Sequence, residues 1–172
     1  MIRTAPDRAA SGRETFAWYM FEKYGRGTMA LTGDAKDVRL ESKLFGGTLL
    51  LAESNSMTNA VVLAGGNLAV AEGKSNSLGD LVATTNGTIS VGAGGSLSFA
   101  SFTRDSGLDR KSITIDAPMA RNIIRFGTAL EPTDLRCFRW KDAADSTKFW
   151  NVYQDAQGYL YPDELGGVVI IR

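Results

Sequence analysis

The sequence predicts an all-β protein: a right-handed, single-stranded parallel β-helix, or β-solenoid, with an aromatic-rich C-terminal cap. Two observations predict it. A Gly-x-aliphatic strand recurs at near-constant spacing, and bulky aromatic sequence follows where the recurrence stops. A fixed period near twenty residues is the signature of one structural coil per repeat.

Four segments share the pattern: Gly27-Thr28-Met29-Ala30-Leu31, Gly47-Thr48-Leu49-Leu50-Leu51, Gly66-Asn67-Leu68-Ala69-Val70 and Gly87-Thr88-Ile89-Ser90-Val91. The glycines stand at 27, 47, 66 and 87, in steps of 20, 19 and 21. A fifth copy, Gly95-Ser96-Leu97-Ser98-Phe99, follows out of step. Alternate side chains of a strand face one side, so Met29/Leu31, Leu49/Leu51, Leu68/Val70 and Ile89/Val91 are expected to stack inward. Ala30, Leu50, Ala69 and Ser90 are then outward. A second apolar set, Val38 and Leu40, Val61 and Leu63, Leu81 and Ala83, is expected to line a neighbouring face. Glycine before each strand suits a sharp turn, since it reaches positive φ without a Cβ clash. Asn86-Gly87 and Gly65-Gly66 also fit hairpins, so an antiparallel sandwich is the competing fold. Repetition of one sequence at one spacing favours the solenoid.

Three units follow. Residues 1–12 are polar, with Pro and Gly, and read as a flexible N-terminal arm. Residues 13–128 hold the coils, entered through Thr15-Phe16-Ala17-Trp18-Tyr19-Met20-Phe21, which is bulky enough to cover the first of them. After Phe102 come a charged loop, Thr103 to Lys111, and strands at Ser112–Asp116 and Asn122–Phe126. Residues 129–172 read as the cap, with a helical turn over Glu131–Leu135 and a hairpin at Asp155-Ala156-Gln157-Gly158.

Composition narrows the chemistry. Lys plus Arg and Asp plus Glu number 19 each, so no net field draws the chain to nucleic acid. Histidine is absent, which removes the commonest general base and metal ligand. Cys137 is the single cysteine, so no internal disulfide forms; it reads as an inert or half-buried thiol despite flanking Arg136 and Arg139. No apolar run reaches membrane-spanning length, and Met1–Pro6 lacks the core of a signal peptide, so direct membrane insertion of this segment is not expected.

The stretch Phe21-Glu22-Lys23-Tyr24-Gly25-Arg26-Gly27-Thr28-Met29-Ala30-Leu31-Thr32-Gly33 resembles the autotransporter-associated β-strand repeat, and Gly47-Thr48-Leu49-Leu50-Leu51 continues it one coil later. Ile124-Arg125-Phe126-Gly127 with Asp155-Ala156-Gln157-Gly158-Tyr159-Leu160-Tyr161-Pro162 is similar to the segment that closes many bacterial surface proteins carrying this repeat. The resemblance implies the C-terminal part of a β-helical passenger, secreted or displayed at a bacterial cell surface as stem or adhesin.

Candidate sites are few. Arg104-Asp105-Ser106-Gly107-Leu108-Asp109-Arg110-Lys111 is the nearest match to the charged clusters of polysaccharide-cleaving β-helices, and reads as a solvated loop. Asp142, Asp145, Asp163 and Glu164 lack the spacing of a calcium loop, so no metal or other cofactor is expected. Trp140, Trp150, Tyr153, Tyr159 and Tyr161 could stack on sugar rings or close the core. The expected function is a non-enzymatic stem or adhesive segment, with host or matrix glycans or other surface proteins as partners. The alternatives are a carbohydrate-binding or carbohydrate-cleaving β-helix, as polysaccharide lyase or hydrolase, and a trimeric phage-type fibre or spike domain, for which outward Leu50, Phe99 and Phe102 would supply an apolar face.

Overall fold

The computed structural model describes residues 19–33, 40–108 and 112–163. The N-terminal arm, Thr15–Trp18, Val38, Asp109–Lys111, Glu164 and the chain end lie outside them. The described chain winds as a parallel β-solenoid of about five turns. The first coil supplies β1 (Tyr19–Lys23) and β2 (Thr28–Leu31), the second β3 (Leu40–Leu44) and β4 (Thr48–Leu51). The third and fourth have three strands each: β5 (Val61–Leu63), β6 (Asn67–Val70) and β7 (Ser75–Leu78), then β8 (Leu81–Ala83), β9 (Gly87–Val91) and β10 (Ser96–Phe99). The fifth has β11 (Phe102–Arg104), β12 (Ile113–Asp116) and β13 (Ile124–Phe126). Beyond it come α1 (Pro132–Leu135), β14 (Phe138–Lys141), β15 (Phe149–Trp150), β16 (Val152–Gln154) and β17 (Tyr159–Pro162).

Three sheets result. The first runs β1-β3-β5-β8-β11, the second β2-β4-β6-β9-β12-β14-β15, and the third β7-β10-β13-β17-β16. All pairings from β1 through β14 are parallel, which excludes the antiparallel sandwich. In the second sheet Met29, Leu49, Leu68 and Ile89 align, as do Leu31, Leu51, Val70 and Val91. These are the ladders expected from the repeat, and from Leu49 onward their members are buried. Ala30, Leu50, Ala69 and Ser90 form the alternate row; Ala69, small and flanked by neighbours above and below, is nevertheless buried.

The first sheet corrects one register. Leu40 stands opposite Tyr19, while Ser42 and Leu44 align with Val61 and Leu63. The inward pair of that coil is therefore a buried serine and a leucine, a combination that hydropathy alone passes over. The out-of-step fifth glycine copy belongs to the third sheet, where Leu97 and Phe99 align with Asn76 and Leu78. Asn76 is buried, and its Oδ1 accepts from the Ser56 amide at 2.9 Å and hydroxyl at 3.1 Å, while Nδ2 donates to the Glu53 carbonyl at 3.1 Å. One amide thus satisfies the bend of the coil before it.

The glycines serve two purposes. Gly47 has φ +66°, and a Cβ there would strike the carbonyls of Gly25 and Gly27, so conformation and space both demand glycine. Gly66 and Gly87 lie outside the left-handed region, and what they meet is the previous coil: Leu44 Cβ would be 3.0 Å from an added Cβ at Gly66, and the Leu63 side chain would overlap one at Gly87. The turn argument thus applies to one mark, Gly47, and close coil stacking to three, Gly47, Gly66 and Gly87.

Toward the C-terminal end the core changes from aliphatic to aromatic. Phe99, Phe102, Phe126 and Phe138 form a cluster with ring centroids 4.9–5.9 Å apart, and Trp140 is fully enclosed beyond it. Phe99 and Phe102 are therefore core residues and offer no apolar face to a fibre partner.

Candidate functional site

Each sheet ends differently. On the first, α1 packs beside β11, and Arg104 Nε donates to Asp134 Oδ1 at 2.9 Å. Pro132 opens this helical turn, as its fixed φ permits. On the second, β14 adds a last parallel strand, and β15 returns antiparallel with Trp140 opposite Trp150. On the third, β17 runs antiparallel to β13 and β16 antiparallel to β17. Asp155 shapes the expected hairpin turn by accepting from the amides of Gln157 and Tyr159, both at 2.9 Å. Gln154 ties the hairpin to the chain leaving β13: Oε1 accepts from Leu130 N at 2.7 Å and Nε2 donates to Thr128 O at 3.0 Å.

The five aromatic candidates separate by position. Trp140 has 0% exposure, aligns with Ile115 and donates Nε1–H to the Ala117 carbonyl at 3.1 Å, so it is a core residue with no face for a sugar. Trp150 is half-buried and donates to Asp142 Oδ2 at 3.1 Å. Tyr153, Tyr159 and Tyr161 share the outer side of the β16–β17 hairpin. Tyr153 and Tyr161 stack with centroids 6.0 Å apart. Arg121 lies 5.0 Å from the Tyr161 centroid and Arg125 5.9 Å from that of Tyr159, both within cation–π range.

Two hollows flank these rings. A groove of about 560 Å³ runs between α1 and β16, lined by Pro132, Leu135, Arg136, Phe138, Asn151, Val152 and Tyr153. A notch of about 480 Å³ lies between the end of β13 and the hairpin turn, with Arg125, Gln154 and Tyr159 in its wall. The groove matches a small-molecule site in size and in its mostly apolar lining with a few polar groups. Nothing in the sequence marks Arg136 as a groove residue, because only the fold brings it into one hollow with Tyr153.

Four of the charged candidates, Arg104, Asp105, Asp142 and Asp145, hold contacts within their own loops or to α1. Arg104 latches α1 and donates Nη1–H to Leu108 O at 3.4 Å, while Asp105 Oδ1 accepts from Gly107 N at 3.1 Å. Asp142 accepts from the amides of Ala144 at 2.7 Å and Asp145 at 3.2 Å, and these bonds with that of Trp150 hold its carboxyl below the usual range. Asp145 is lowered likewise, first by the Thr147 hydroxyl at 2.6 Å and then by the Thr147 amide. No group of three or more metal-ligating side chains occurs among the described residues. Burial pushes the Cys137 thiol up, and Arg104 is the cation that opposes it; Arg139 instead reaches Thr114 Oγ1 at 2.9 Å and the Phe149 ring at 4.2 Å.

No protein-family model, curated protein or solved structure matches this chain.

Proposed function

We propose that this chain is a non-enzymatic β-solenoid segment of a secreted or surface-displayed bacterial protein, serving as stem or adhesive spacer. The carrying observation is the constant register of the parallel sheets from coil to coil. Each coil adds about 4.8 Å of length and repeats the contacts of the one before it, so the fold extends by simple addition. On the outside of the third sheet the steps are joined by neutral hydroxyls: Ser96 donates to Ser75 and Ser98 to Ser77, each at 2.8 Å. The resemblance of Phe21–Gly33 to a passenger repeat supports the placement outside the cell.

The test is labelling of intact cells that make the protein with a membrane-impermeant amine reagent. The side chain of Lys148 is 68% exposed and reports directly. Labelling before lysis is the expected result, and labelling only after lysis overturns the surface reading. Release of reducing ends from an acidic polysaccharide by the purified chain would overturn the non-enzymatic part.

A further inference from the structure

We propose that the groove between α1 and β16 binds carboxylate-bearing glycans, with Tyr153 as the stacking platform and Arg136 as the carboxylate partner. The inference goes beyond the stem reading and does not depend on it.

The order of strands decides which ring is available. β17 lies between β13 and β16, so Tyr161 has the β13 side, with Arg121, on one flank and Tyr153 of β16 on the other. Arg121, Tyr161 and Tyr153 therefore form a stack in which Tyr161 is an interior layer. Tyr153 is its outer layer, 43% exposed, and it lines the groove. An exposed tyrosine propped from behind presents a ring face at little cost in lost freedom, as sugar C–H faces require. Pro132, Leu135 and Val152 supply further apolar wall, and Asn151 an amide able to bond hydroxyls.

Charge then selects the class of sugar. Arg136 is exposed, lines the same groove as Tyr153, and has no ion-pair partner among the described residues. The carboxylate nearest to it in α1, Asp134, is engaged by Arg104, and Asp155 is engaged by backbone amides. The exposed carboxylates Glu131 and Asp163 flank these elements in the chain, and neither lines the groove. A planar guanidinium beside an aromatic face fits a sugar carboxylate, which takes two parallel N–H bonds while the ring stacks.

Calorimetric titration of the full chain with tetragalacturonate, a mannuronate tetramer and a hyaluronan tetrasaccharide tests this, with methyl-esterified tetragalacturonate as the neutral control. At least one acidic probe is expected to bind at least about tenfold more tightly than the ester. Tyr153→Ala and Arg136→Gln are each expected to weaken that binding by about tenfold, Tyr153→Phe to retain it, and Tyr24→Ala at the opposite end to leave it unchanged. Far-UV spectra and unfolding midpoints matching those of the parent chain would show that the variants fold. Three results overturn the proposal: no acidic probe binds, the ester binds equally well, or binding survives both Tyr153→Ala and Arg136→Gln in folded protein.

Discussion

The coils between β3 and β13 and the unit beyond them solve opposite problems with opposite means. A coil must leave its upper edge ready for the next one, so its second-sheet strand turns aliphatic residues inward, its glycines admit close approach, and its neighbours run parallel. The terminal unit must end that invitation. It reverses direction at β15 and β17, fills the last layer with Phe138 and Trp140, and secures its loops with Asx-type turns and an ion pair. Exposed sheet edges are sites of unwanted pairing, and short antiparallel strands with a helical turn blunt them. The contrast teaches that repetition rests on stacked aliphatic rows, and termination on an aromatic layer with polar ties in its loops.

Substitutions should divide along that line. The largest effect is expected from Trp140→Ala, about 4 kcal/mol, because a fully enclosed ring is lost and the Ala117 carbonyl loses its donor. Leu68→Ala in a middle coil should cost about 3 kcal/mol by cavity formation. Urea unfolding followed by circular dichroism measures both; a Trp140 effect well below that of Leu68 would break the picture of an aromatic plug. Asn76→Ala is expected to cost about 2 kcal/mol, since the Ser56 amide and hydroxyl both lose their acceptor in a buried bend.

Acid sharpens the comparison without mutation. Asp142 and Asp145 have folded pKa values below their unfolded ones, so their stabilisation is complete above about pH 4 and is lost as pH falls through the folded values. The β14–β15 turn should therefore loosen in acid before the coils do, seen as a change in Trp150 fluorescence preceding loss of the strand signal in circular dichroism. Simultaneous change would mean that the two regions share one cooperative unit. The smallest effect belongs to Arg104→Met, slight and diminished by salt, because its ion pair with Asp134 is part-exposed.

The second sheet was legible in the sequence because one alternation recurs three times at one spacing, so Leu49, Leu68 and Ile89 announce each other. The third sheet was less so. β7 reads Ser-Asn-Ser-Leu, with an inward asparagine whose role depends on a bend twenty residues earlier, and local hydropathy has no sign for that. The aromatic set was visible as a set, yet its division was not: Trp140 continues the inward alternation of Phe138, whereas Tyr153 alternates outward. The groove depends on Arg136 and Tyr153 lining one hollow from distant parts of the chain, and no spacing rule relates those positions.

Parallel register is the central claim, and disulfide trapping tests it most directly. In a Cys137→Ser background, Ser75→Cys with Ser96→Cys and Ser77→Cys with Ser98→Cys replace hydroxyls that stand 2.8 Å apart. Both pairs are expected to oxidise readily, while the crossed pairs, 75 with 98 and 77 with 96, stay reduced. Preferential oxidation of the crossed pairs would mean that β7 and β10 run antiparallel, and would contradict the solenoid.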